Sequence, residues 1–246
     1  MSISDMGNRF FAAPPITSDR ATLTGAEAHH LQHVMRATVG DEITLFDGKG
    51  REFSGRIACI GRSEVEVVLT GSQAVSREPV RKTVMGLALP KGNRQRWVIE
   101  KLTELGVTRV VPLRTARSVA HPNQGALKKF ERFVVEACKQ CGRNQLMDVS
   151  TLTCFEDFLA SAPDSAVKWI ADPEGEPARN GDGDETSAYL AIGPEGGFTR
   201  EECREAEAAG WRAVSLGPRV LRVETAAIVS ATVASSDLHG NQRGLE

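Results

Sequence analysis

The chain has 246 residues, 41% of them apolar, and a formal net charge of −2, which is ordinary for a globular protein of one large or two smaller domains. No apolar run reaches the roughly 18 residues of a membrane-spanning helix, and Met1–Phe11 lacks the basic-then-apolar pattern of a signal peptide, so a cytoplasmic protein with no membrane partner is expected. Five scattered cysteines fit reduced thiols and exclude a disulfide framework.

The near-neutral total hides an asymmetry. Residues 81–149 carry 14 Lys/Arg against 5 Asp/Glu, whereas residues 150–246 carry 8 against 17. A basic middle third within a neutral protein predicts a surface that binds a polyanion.

In chain order, Ala26–Arg36 has Leu31, Val34 and Met35 at helical spacing, with Thr24 and Glu27 reading as a capping box. "DEITLFDGKG" is an alternating strand that ends in the hairpin signal Asp47-Gly48. "EFSGRIACIG" and "SEVEVVLTG" are two further strands parted at Gly61. One helix with hairpin-linked strands predicts a small β-barrel over residues 1–74. The polar run Ser72–Lys82, interrupted by Pro79, marks a boundary, and a second domain is expected over residues 80–246.

From Val84 the rhythm becomes strand–helix alternation, the mark of an α/β domain with a mostly parallel sheet. "VMGLALP" is a strand, and Asn93 is placed to cap a helix whose Val98, Leu102 and Leu105 share a face before Gly106 stops it. "RVVPL" is a strand. Residues 126–142 form a helix with Phe130, Phe133, Val134, Ala137, Cys138 and Cys141 on one stripe and Arg132, Glu136, Gln140 and Arg143 opposite. "VKWIAD" and "AYLAIG" are strands, "TREECREAEAAG" a helix, "AVSLG" a short strand and "ETAAIVSATVASSDL" a final helix. Between Asp172 and Ala188 the acidic, Gly/Pro-rich "PEGEPARNGDGDETS" reads as a mobile loop.

Two loops stand out. Gly193-Pro194-Glu195-Gly196-Gly197 joins a strand to a helix at a sheet's carboxyl edge, where α/β proteins bind ligands. It matches neither the P-loop nor the dinucleotide fingerprint, but its glycines let a ligand approach the backbone without a Cβ in the way. A tight turn is the plainer alternative. Thr199 and Glu202 form a capping box behind it. The second loop, from Leu216 and Gly217 to Leu221, Arg222 and Glu224, leads into a helix of small residues, the kind that neighbours pack closely all round. Arg222 and Glu224 there either pair with each other or serve a site. Cys138-x-x-Cys141 lies inside an apolar stripe and reads as two core thiols. His29, His30 and His33 offer no clear third ligand, so no metal is expected.

Taken together, "RFF", "HHLQHVMRATVGDEITLFDGKG", "ALPKGNRQRWVIEKLTELGV", "EACKQCGRN", "AIGPEGGFTREE" and "LGPRVLRVETA" resemble the RsmE family of 16S ribosomal RNA (uracil-N3)-methyltransferases of the SPOUT class, nearly end to end. The chain departs from that pattern at Ala116, where Glu is usual, at Cys141 (Ser), and at Val220 and Val223 (Ile and Thr).

The resemblance implies an N-terminal PUA-like barrel, a C-terminal α/β domain with a deep trefoil knot, a homodimer, and 16S rRNA, within the small ribosomal subunit, as substrate. It implies S-adenosylmethionine as methyl donor, held by Leu89, by Gly193, Pro194, Glu195, Gly196 and Gly197, and by Leu216, Gly217, Leu221, Thr225 and Ala226. It further implies 3-methyluridine near the decoding site as product. For that chemistry Arg222 is assigned to anion stabilisation, and Glu195 or Glu224 to orientation or proton removal. Arg9, His33, Arg36, Lys91, Arg94, Glu136, Gln140 and Arg143 are the candidates for RNA contact.

Overall fold

The computed structural model describes residues 8–13, 15–16, 19–178 and 186–235. The chain divides into two compact units, Met1–Glu78 with Val135–Leu146, and Pro79–Val134 with Met147–Glu246. The sequence boundaries at 74 and 80 left Val135–Leu146 in the second domain, and the structure gives this segment to the first unit. The reason is ionic: Arg143 grips Glu78 at 2.6 Å, Lys139 bonds Glu27 at 3.1 Å and Arg77 donates to the Gly142 carbonyl at 2.8 Å.

The first unit contains β1 (Arg9–Phe11), β2 (Arg20–Thr24), α1 (Gly25–His29), β3 (Glu42–Phe46), β4 (Arg51–Ile60) and β5 (Glu64–Ala74). Among the described residues these strands make a five-stranded sheet in the order β1-β3-β4-β5-β2. Only β1–β3 is parallel. Alternation along β3 and β4 drives Ile43, Leu45, Phe53 and Ile57 into a core closed by Leu23, Leu31, Val65 and Val67. The Asp47 carboxylate shapes the β3–β4 turn by accepting from the amides of Lys49 and Arg51.

Two local expectations are corrected in this unit. The capping box does not form: the Thr24 side chain makes no capping bond, and the Glu27 carboxylate that would reach back to the Thr24 amide instead accepts from the Lys139 ammonium and the Phe11 amide. The helix also loosens into a π-turn at His30–Val34 and ends at Arg36, which has φ +53°.

The second unit holds β6 (Lys82–Leu87), α2 (Arg94–Glu104), β7 (Arg109–Arg114), β8 (Asp148–Val149), β9 (Thr153–Cys154), α4 (Phe155–Ser161), β10 (Val167–Pro177), β11 (Ser187–Ile192), α5 (Arg200–Ala208), β12 (Arg212–Ser215) and α6 (Val223–Ala234). Helix α3 (Gln124–Cys141) is divided between the units at Val134. The sheet is parallel in the order β12-β10-β11-β6-β7-β8, with β9 pairing β7. Its central strands carry unbroken apolar runs because both faces are covered. Phe155, Phe158, Leu159 and Trp211 cover one face, while α6 packs against α2, β6 and β11. Asn93 does begin α2, without a capping bond from its side chain. No helix among the described residues is long and apolar enough to cross a membrane.

The largest departure is β10, which runs on through Pro177 where a loop is expected. A bulge between Ala171 and Glu176 lets Glu176 and Pro177 pair with Val214 and Ser215 of β12. Gly175 makes this possible, since a Cβ there would lie 2.5 Å from the Ala213 carbonyl carbon. Residues 179–185 of the expected loop fall outside the described residues.

Candidate active site

The site begins where β11 stops at Ile192. The Gly197 amide bonds the Pro194 carbonyl at 2.8 Å, closing a turn in which Gly197 has φ +67°, a conformation costly for any residue with a Cβ. The capping box forms as expected. The Glu202 amide donates to Thr199 Oγ1 at 3.2 Å, and the Thr199 amide donates to Glu202 Oε2 at 2.7 Å. Glu202 Oε1 also accepts from the Ala116 amide at 2.7 Å, so position 116 contributes through its backbone. Arg117 reaches across from the same segment and donates to the carbonyls of Gly196 at 2.6 Å and Phe198 at 3.4 Å. The Phe198 ring rests on Phe155, centroids 4.9 Å apart. None of Arg117, Phe155 and Phe198 was singled out from sequence for this role, because the signal is a contact between segments and not a pattern along one of them.

Beyond the ends of β11 and β12 lies a cleft of about 620 Å³. The two glycine-bearing loops line it together: Gly193, Pro194, Glu195, Gly196 and Gly197 from one, and Leu216, Gly217, Leu221 and Ala226 from the other. Leu89 is buried at 2% exposure and Thr225 is exposed, and neither lines the cleft. The bulge of β10 supplies a wall with Asp172 and Glu174, while Arg200, Cys203, Arg204 and Arg219 complete the rim. Glu174 was missed because the bulged strand was read as a loop, whereas the others lie on segments whose meeting at the cleft leaves no pattern along the chain. The Cys203 thiol donates to Asp172 Oδ2 at 3.4 Å, and burial together with that neighbouring carboxylate pushes it up to about 11.

Three charges meet beside the cleft. Arg94, at the start of α2, donates from Nη2 to Glu195 Oε1 at 2.9 Å and holds Nη1 3.5 Å from Glu224 Oε2. Glu224 sits in the first turn of α6, where the helix dipole favours an anion. It is buried, and its Oε2 makes no hydrogen bond among the described residues. Arg222 is exposed, and no acid pairs with it among the described residues. The Arg222–Glu224 pair that the spacing allowed is replaced by Arg94–Glu224.

The remaining RNA candidates separate by exposure. Lys91 is exposed in the second unit, and His33, Arg36, Glu136 and Gln140 are exposed in the first. Arg9 and Arg143 are not available for contact, being 1% and 3% exposed. Arg9 bonds Glu52 at 2.6 Å and the Asn144 side chain, and lies over the Phe46 ring. A cation next to an aromatic in "RFF" is indistinguishable in sequence from an RNA-binding arm. Arg81 and Lys139 are buried as well, so the basic third presents less charge than its composition promises. Cys138 is a core thiol, pushed by burial up to about 12, whereas Cys141 is only half-buried.

Residues 76–235 match the family described as RNA methyltransferase domain, and residues 23–70 match the RNA methyltransferase PUA domain. A ribosomal RNA small subunit methyltransferase E of Synechocystis sp. is 32% identical over 232 residues, 92% of this chain and 76% of that protein. The chain belongs to the ribosomal RNA small subunit methyltransferase E family. Family membership extends to solved structures. A family enzyme of Neisseria gonorrhoeae bound to S-adenosylmethionine superposes with TM-score 0.84 at 28% identity, covering 92% of this chain and 95% of that one. A methyltransferase of Legionella pneumophila, also in complex with S-adenosylmethionine, superposes with TM-score 0.83 at 31% identity, covering 92% and 96%. In family terms, the PUA domain is the sheet from β2 to β5, and the methyltransferase domain carries the cleft.

Proposed function

We propose that this protein transfers the methyl group of S-adenosylmethionine to N3 of one uridine in 16S ribosomal RNA near the decoding site, giving 3-methyluridine. The observation that carries the reading is the cleft of about 620 Å³ floored by Gly193–Gly197. Its volume suits one small-molecule cofactor, and its floor offers backbone amides and carbonyls with few side chains in front of them. When bound, the donor supplies an activated methyl on a sulfonium; the protein's task is alignment and proton handling. Gly193–Gly197 would hold it together with Leu216, Gly217, Leu221 and Ala226.

Uracil N3 must lose its proton for its electron pair to attack. Glu195, half-exposed on the cleft, and Glu224, buried beside it, are the acids available. Arg222, exposed and unpaired among the described residues, would stabilise the uracil anion. His33, Arg36 and Lys91 would neutralise phosphates of the flanking RNA, whose target nucleotide has to leave its stack.

The same reading carries a trefoil knot in the methyltransferase domain and a homodimer. In support of the dimer, α6 is not covered all round, since Ile228, Val229, Thr232 and Val233 stay half-buried.

Nucleoside mass spectrometry of small-subunit RNA incubated with the protein and the donor tests the proposal. The expected product is 3-methyluridine, lost in Arg222→Ala while calorimetry still detects donor binding. Methylation at a ribose or another base, or no methylation, would overturn it.

A further inference from the structure

Resting on the methyl-transfer reading, the two acids beside the cleft can be told apart by what holds them. Glu224 is side-chain buried at 8% exposure, whereas Glu195 is 43% exposed and lines the cleft. A buried carboxylate without a hydrogen bond on Oε2 demands a counter-charge, and Arg94 Nη1 supplies it at 3.5 Å. The other arm of the same planar guanidinium donates to Glu195 Oε1 at 2.9 Å. Support therefore runs outward: the first turn of α6 fixes Glu224, Glu224 fixes Arg94, and Arg94 fixes Glu195, the exposed member of the pair. A guanidinium suits this task because its two arms are rigidly joined. Arg94 and Glu224 do not line the cleft.

We propose that Arg94 is a positioning residue of this site, not an RNA contact, and that Glu195 is the acid that takes the uracil N3 proton. With Oε1 held by Arg94, Oε2 of Glu195 is left for a substrate donor. In the step so defined the N3 proton passes to Glu195 Oε2, the N3 electron pair forms the bond to the methyl carbon, and the pair of the broken carbon–sulfur bond leaves with sulfur.

The test measures kcat for methylation of small-subunit RNA at saturating donor and RNA, donor affinity by calorimetry and RNA affinity, for the wild type and a set of variants. Arg94→Ala should lower kcat about 100-fold, the scale of losses from misplaced groups, with donor and RNA affinities within about threefold of wild type. Arg94→Lys should recover about tenfold of the loss. Glu195→Gln should match or exceed the Arg94→Ala loss, and the double variant should lose no more than Glu195→Gln alone. If Arg94→Ala does not fold because Glu224 is stranded, Arg94→Met/Glu224→Gln removes both charges, and it should fold, bind donor normally and show the same low kcat. Losses that multiply in the Arg94/Glu195 double variant would overturn the proposal. So would an Arg94 variant that keeps kcat but loses RNA affinity, or full activity in Glu195→Gln. A wild-type protein that binds no donor or transfers no methyl would instead defeat the functional reading itself, and this inference with it.

Discussion

Arg117 Nη1 donates a 2.6 Å hydrogen bond to the Gly196 carbonyl, tying the segment after β7 to the floor of the cleft. With the Glu202–Ala116 bond beside it, this contact sets the height of a loop whose own residues have few side chains to pack. Arg117→Ala should weaken donor binding about tenfold, equivalent to about 1.4 kcal/mol, as one charge-assisted hydrogen bond would. Thermal unfolding should hardly move, since Arg117 is exposed. Calorimetry and a melting curve separate the two effects, and unchanged affinity would remove Arg117 from the loop's support.

Neighbouring glycines of the same loop should respond differently. At Gly196 a Cβ would meet Arg117 Cδ at 3.3 Å and Arg117 Cβ at 3.8 Å, both on one flexible side chain. At Gly197 nothing crowds the Cβ, but φ is +67°. Gly197→Ala should therefore cost roughly 1 kcal/mol of stability from backbone strain, while Gly196→Ala should cost less than about 0.5 kcal/mol. Denaturant titration of both variants checks the order, and a larger loss at 196 would contradict it.

Both glycine loops, the parallel sheet and the capping box at Thr199 were legible because each is a local pattern: period, turn residue or cap. The helix α4 was not, although Phe155, Phe158 and Leu159 have helical spacing, because the run is short and its partner is distant. Gly86, on β6, is vacant of a Cβ so that Phe158 can lie against the sheet, 2.5 Å from where that atom would be. The continuation of β10 was hidden for the same reason, its pairing with β12 depending on Gly175 passing close to Ala213. Arg9 and Arg94 show the limit for charged side chains. Composition located the basic residues, but their acidic partners Glu52, Glu195 and Glu224 lie 43, 101 and 130 positions away.

The cysteines divide by environment. Cys59 is exposed, Cys138 is buried and pushed up to about 12, and Cys203 is pushed up to about 11. The thiolate is the reactive form, so at pH 8 a maleimide should label Cys59 in the native protein within minutes. Cys138 should react only after denaturation, and Cys203, half-buried on the cleft rim with its thiol pushed up, should react in the native protein more slowly than Cys59. Peptide mass mapping reads the sites, and rapid native labelling of Cys138 would mean that the first unit opens far more readily than its packing implies.

Glu52 provides a pH-dependent test of the first unit. Burial acts to raise its carboxyl, but hydrogen bonds and charge from Arg9 and Arg77 outweigh that and hold it below the usual carboxylate range. Because the folded value lies below the unfolded one, near 4.3, the group stabilises the fold fully above that pH, and the contribution is lost as pH falls through the lowered folded value. Glu27 works the other way: desolvation raises its carboxyl despite Lys139, so its contribution is greatest below the unfolded value and fades as pH rises through the raised one. Glu52→Gln should cost about 3–5 kcal/mol at pH 7, the scale for stranding one member of a buried pair, since Arg9 is 1% exposed. The gap from wild type should narrow steadily below about pH 4 as the native carboxyl protonates. Denaturant midpoints at pH 7, 5 and 3.5 measure it, and a gap that stayed constant with pH would show that the pair stabilises through shape and hydrogen bonding without its charge.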